Sequence, residues 1–190
     1  AFTLNELTPF VFSLQPGQRH ALYHGPLKSQ SEHKLADLFE AERHLPLAPL
    51  TAMPDEISVI NVFSLGSAEA VERVSASIAD EPHLVAYSGI AIHEREIGEH
   101  ATKEPAQHWI DIHHSLGSKG NGINYLREEL GIDHVIAFGD GDNDLSMFES
   151  ASECYAPANA DPMILHAADE VIGHHDEDGV ARFLRERFEL

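Results

Sequence analysis

The hydrophobic positions change period several times along the first half of the chain. TPFVFSL and RHALYH, residues 8–14 and 19–24, are β-prone runs on either side of Gln15-Pro16-Gly17-Gln18, and they predict a hairpin. SEHKLADLFEAER, 31–43, places Leu35, Leu38 and Phe39 on one helical face, and a proline-broken loop, LPLAPLTAMPDE, follows it. ISVINVFSL, 57–65, is a strongly β-prone strand, and SAEAVERVSASIAD, 67–80, aligns Val71, Val74 and Ile78 on a second helix. LVAYSG and HWIDIHH predict two more strands. Hairpins mixed with helices in this order predict an α+β layer with its helices on one face of the sheet.

From Leu116 the pattern becomes a regular alternation. SKGNGINYLREELG predicts a helix, HVIAFGD a strand, NDLSMFESA a helix, ECYAPA a strand, DPMILHAA a helix, EVIG a strand and DGVARFLRERF a last helix. Strict alternation with short connections predicts a parallel sheet with right-handed crossovers. Three strands are few for an open sheet covered by helices.

The junction HVIAFGDGDNDLSMFESA, 134–151, carries three aspartates at alternate positions, Asp140, Asp142 and Asp144. The apolar run before them reads as a buried strand, and Leu145, Phe148 and Ala151 recur at helical spacing after them, with Asn143 or Asp144 available as a cap. The aspartates therefore fall on a strand-to-helix loop at the carboxyl edge of the sheet, where ligands bind in open α/β folds. Three carboxylates this close repel one another unless a hard cation such as Mg2+ or Ca2+ lies among them; a solvated acidic turn is the plainer alternative. An EF-hand loop fails, because Leu145 stands where its glycine belongs and Ala151 where its glutamate belongs.

Composition narrows the partners. The 190 residues are 43% hydrophobic and 23% charged, as in an ordinary soluble protein, but 32 acidic against 12 basic residues leave a formal charge of −20. That balance disfavours nucleic acid and anionic membranes as partners. No apolar run approaches a membrane span, no export signal opens the chain, and the single cysteine, Cys154, suits a reducing cytoplasm. Among 14 histidines, His113 and His114 are neighbours on a strand and point to opposite faces. His174-His175-Asp176 is a better cluster, but it lies in a loop with no further Cys or His at ligand spacing, so zinc is not expected there.

Four stretches, SKGNGINYLREELGI (118–132), VIAFGDGDNDLSMFESA (135–151), YAPANADPMILHAADEVI (155–172) and DEDGVARFL (176–184), resemble the haloacid dehalogenase superfamily in order and spacing. The resemblance is to the Cof-type phosphatases, whose large cap is inserted at the second position. It implies an α/β fold: the carboxyl-terminal part of a Rossmann-like parallel sheet core, residues 113–190, plus an α+β cap over 1–112 that selects the substrate. By resemblance Asp140 ligates Mg2+, Asn143 reaches the transferring phosphate, and Asp144 supports the metal shell and the loop. Lys119 matches the family lysine that offsets phosphate charge, whereas Asp142 falls at a variable, solvated position and Asn159 fixes its loop.

The family also carries a strand ending in DxDGT, whose first aspartate attacks phosphorus and whose second moves the proton, and a second motif ending in Ser or Thr. Neither is in these 190 residues. Their opening, AFTLNELTPF, resembles the start of the cap, so the segment bearing both motifs is expected to be missing. The implied activity, hydrolysis of a small phosphorylated metabolite through an aspartyl-phosphate, then belongs to the complete parent, and this chain alone is expected to be inactive. Its incomplete sheet edge is expected to favour a homo-oligomer. The alternative is a non-catalytic module that binds a phosphometabolite or a partner.

Overall fold

The computed structural model describes residues 1–15, 17, 19–43, 45–91 and 107–190, which fall into two compact units, Ala1–Ser115 and Leu116–Leu190. In the first unit the predicted hairpin is β1 (Phe10–Gln15) and β2 (Arg19–His24), followed by α1 (Gln30–Arg43). Next come β3 (Leu47–Pro49), β4 (Ser58–Gly66), α2 (Ala68–Ile78), β5 (Leu84–Ile90) and β6 (His108–His114). The strands form one sheet in the order β3-β2-β1-β4-β6-β5, antiparallel except where β3 runs parallel to β2. β3 lies inside the stretch expected to be a proline-broken loop.

The two helices cover opposite faces, where one face was expected to hold both. On α1, Phe39 meets Phe10, Phe12 and Phe63 with ring centroids 5.9, 5.1 and 6.3 Å away. On α2, Val71, Val74 and Ile78 pack with Ile110, Ile112 and Ala86. Phe63 is paired with Asp111 across β4 and β6, so the residues flanking Asp111 project the other way. Each helix thus buries half of a different face. Ser67 caps α2 by accepting from the Ala70 N–H at 3.2 Å.

The second unit alternates as predicted: α3 (Lys119–Leu130), β7 (Ile136–Phe138), α4 (Leu145–Ser150), β8 (Glu153–Pro157), α5 (Pro162–Ala167), β9 (Glu170–Ile172) and α6 (Gly179–Phe188). Its sheet is parallel, in the order β7-β8-β9. Ala137, Cys154 and Ala156 face Phe148 and Ile164 of α4 and α5. Phe138 and Tyr155 face the opposite side, where the Phe183 ring of α6 lies 5.7 and 4.2 Å from theirs. Both faces of this small sheet are therefore covered, the arrangement that lets a parallel sheet exist. Arg187, near the end of α6, donates to both oxygens of Glu153 at 3.0 and 3.1 Å. Burial pushes the Cys154 thiol up from its ordinary pKa, so it stays protonated and inert at neutral pH. No helix among the described residues is long and apolar enough to cross a membrane.

Candidate active site

The acidic loop leaves β7 at Gly139 and reverses so tightly that a Cβ on Gly139 would lie 2.5 Å from Cβ of Asp144. Only glycine allows that approach. The reversal turns the buried Asp144 carboxylate back on its own loop, where Oδ2 accepts from the N–H groups of Asp140 at 2.9 Å and Gly141 at 3.2 Å. Asp144 stands at the start of α4 but its side chain does not cap the helix, and neither does Asn143; the first turn is instead preceded by a 3-10 turn, Asp142–Asp144. The capping expected from the sequence is thus replaced by bonds to upstream N–H groups.

Lys119 arrives from the second element of the site. Ser118 caps α3 by accepting from the Asn121 N–H at 3.2 Å, which makes Lys119 the first helical residue. A Cβ on Gly120 would sit 2.2 Å from the Ser146 carbonyl oxygen, and the Gly120 N–H donates to Ser146 Oγ at 3.2 Å. This close crossing of α3 over α4 carries the Lys119 ammonium to Asp144 Oδ1, to which it donates a charge-assisted hydrogen bond. Farther along α3, Arg127 donates to the carbonyls of Ser150 at 2.9 Å and Asp133 at 2.6 Å, fixing the helix at its other end.

The three aspartates differ sharply in environment. Burial pushes the Asp144 pKa up most, but the Lys119 hydrogen bond and the Asp140 and Gly141 N–H groups together outweigh it, and the net shift is downward. Asp140 and Asp142 are exposed, and the Asp140 carboxylate makes no hydrogen bond or ion pair among the described residues. The Asp140 backbone is nevertheless held on both sides, since its carbonyl accepts from the Asp161 N–H at 2.9 Å in the loop after β8. An unengaged carboxylate on a fixed backbone, beside a lysine already tied to a second carboxylate, offers the oxygen donors that suit a hard divalent cation such as Mg2+. Asn143, half-buried, belongs to the same turn.

Asn159 does not point to this group; its Oδ1 accepts from the His175 N–H at 3.1 Å and ties the loop after β8 to the loop after β9. Lys119, Asp140, Asn143 and Asp144 thus come together on two adjoining elements, α3 and the loop after β7. Sequence reasoning missed Ser146 and Gly139, which set the two close approaches. The glycine before the first aspartate was a readable signal, whereas a serine on a helical face is not.

The chain matches the family described as haloacid dehalogenase-like hydrolase over residues 10–184. It is 29% identical over 164 residues to the putative phosphatase YxeH of Bacillus subtilis, covering 85% of this chain and 55% of that protein. It is 32% identical over 129 residues to the 5-amino-6-(5-phospho-D-ribitylamino)uracil phosphatase YitU of the same organism, covering 67% of this chain and 47% of YitU. The chain therefore spans about half the length of these relatives. Among solved structures, the subclass IIB sugar phosphatase BT4131 superposes with a TM-score of 0.62 at 22% identity, over 99% of this chain and 63% of that one, a likeness of fold. The sequence match runs through both compact units and through the loops that gather Lys119 and the aspartates, and it places the chain in the haloacid dehalogenase-like hydrolase family.

Proposed function

We propose that these residues serve in a Mg2+-dependent phosphatase that hydrolyses a small phosphate monoester through an aspartyl-phosphate. Residues 1–112 are its substrate-selecting cap and 113–190 half of its catalytic core. The observation that carries this reading is the Lys119–Asp144 pair held beside the unengaged Asp140 carboxylate at the carboxyl edge of parallel strands. The phosphatase names of YxeH and YitU support it.

Lys119 spends one N–H on Asp144 and keeps two for anionic phosphoryl oxygens, where they stabilise charge that grows in the transition state. The Asn143 amide adds donors from the same turn. Asp144 works from behind: it orients Lys119, and through two backbone N–H groups it holds the loop that presents Asp140. Asp140 would supply an oxygen ligand for Mg2+, with Asp144 supporting that shell, and the ion would neutralise phosphate charge. The attacking aspartate and its proton-moving partner belong to a DxDGT stretch that these 190 residues do not contain, so by themselves they release no phosphate. The cytoplasm, with its phosphorylated metabolites, is the proposed location.

The test uses a complete protein in which a DxDGT segment precedes this sequence. Phosphate release from para-nitrophenyl phosphate and a metabolite panel is expected to fall by about 10²–10³ in Lys119→Ala and in Asp140→Asn, and little in Asp142→Asn. Equal losses in all three would sink the assignment of the turn, and turnover by the 190 residues alone would sink the role given to DxDGT.

A further inference from the structure

A second cluster of ligating side chains lies on the loop after β9, and the function above does not use it. The loop is pinned at several points. A Cβ on Gly179 would lie 1.9 Å from the Gly173 carbonyl oxygen, so the two ends of the loop touch. Asp178 takes a left-handed conformation with φ of 54°, and the His175 N–H is held by Asn159. Between these points His174 is extended, at φ −60° and ψ 150°, and a 3-10 turn, His175–Glu177, begins at the next residue.

That change of conformation makes neighbouring histidines converge, which neighbours on a strand cannot do. His174 Nδ1 lies 3.5 Å from Asp176 Oδ2, and His175 Nε2 lies 3.2 Å from Asp176 Oδ1. The two imidazole centroids are 4.7 Å apart, and one ligand atom from each of the three residues lies within 4.8 Å of the others. The Asp176 N–H donates to His174 Nδ1 at 3.2 Å, a contact in which Nδ1 is the acceptor and which an ion bound at Nδ1 replaces.

We propose that His174, His175 and Asp176 form a site for a borderline divalent transition metal, with zinc as its representative, separate from the oxygen-donor loop after β7. Two imidazole nitrogens and one carboxylate oxygen are donors that zinc accepts, with water completing the shell. Magnesium, which demands oxygen in near-octahedral array, is a poor match for two imidazoles. The sequence argued against zinc because no fourth Cys or His stands at ligand spacing, but a three-ligand open site needs none. Zinc bonds of about 2.0–2.2 Å require the donors to close in from their present spacing. The His175 and Asp176 side chains, 62% and 76% exposed, are free to rotate inward. The ion replaces the N–H contact to His174 and clasps a loop already tied to Asn159.

Calorimetric titration of the full 190-residue chain with Zn2+ at neutral pH tests this. One ion per chain is expected, with affinity at least about ten-fold lower in His174→Ala/His175→Ala and in Asp176→Asn. His83→Ala/His114→Ala removes two histidines from the other unit and is expected to bind as the parent chain does. Unchanged binding in the His174/His175 variant, or an equal loss in the His83/His114 variant, overturns the site. A second measurement needs no variant: Ni2+ is expected to broaden amide signals of residues 173–178 first, and broadening centred elsewhere, or none, overturns the proposal equally.

Discussion

In the six-stranded sheet four strands have a neighbour on each side, whereas in the three-stranded sheet only β8 does among the described residues. The first sheet is held by apolar packing: Phe39 with its three aromatic partners on one face, and Val74, Ile110 and Ile112 on the other. The second has strands of three, five and three residues and two helices of six, too short to be stable alone. Single polar contacts and close glycine approaches position its parts: Ser146 with Gly120, Arg127 with two carbonyls, Asp144 with two N–H groups. The candidate site therefore lies in the unit with less burial to spare. Small changes there should move the site, while the larger sheet absorbs them.

The largest expected effect concerns the open edge. Among the described residues β7 pairs with β8 alone, and in the same unit α3 exposes Tyr125, Leu126 and Leu130, so the 190 residues are expected to associate through this region. Sedimentation at micromolar concentration should show a dimer or larger assembly. A monomer at every concentration would mean that the short edge is no liability and that the contrast between the sheets has been overdrawn.

Two glycines of α3 sharpen the comparison at intermediate size. Gly120→Ala forces a Cβ against the Ser146 carbonyl, a backbone atom that cannot rotate away, and is expected to cost about 1–3 kcal/mol. Gly122 has open space where its Cβ would go, and Gly122→Ala is expected to stabilise the helix by about 1 kcal/mol. Urea denaturation measures both, and matching signs for the two would show that α3 does not cross α4 as described.

The smallest effect is in acid. The Asp144 pKa is lowered on folding, so the carboxylate contributes stability at pH values above its unfolded value of about 3.9, and that contribution is lost as pH falls through the folded pKa. Against Asp144→Asn, the parent chain should be more stable at neutral pH and should lose that advantage in the acid range. A difference independent of pH would mean that the Lys119 and backbone contacts do not favour the ionised form.

Element order was legible because each segment's apolar period survives in its burial: Val71, Val74 and Ile78 on α2, and Ala137 between its neighbours on β7. β3 escaped notice because Leu47-Ala48-Pro49, directly after Pro46, is too short to carry a period, and only pairing with Leu22, Tyr23 and His24 makes it a strand. The faces covered by α1 and α2 escaped for a related reason. A helix's apolar stripe says that it packs, and the register of β4 against β6 says on which side.

The sequence by itself determined the acidic turn, the lysine that opens a helix, the glycines around them and the family to which these motifs belong, since all of these are local and ordered along the chain. Only the tertiary structure decided which aspartate is engaged and which is left open. Asp140, Asp142 and Asp144 are equivalent as letters, but the Asp144 donors include a lysine 25 residues away, brought in by the approach of Gly120 to Ser146. The structure likewise decided that His174 and His175 converge on one carboxylate, because a bend between adjacent residues cannot be read from their adjacency. Hydrogen-bond saturation and side-chain convergence depend on where distant backbone passes, and that is fixed when the chain packs.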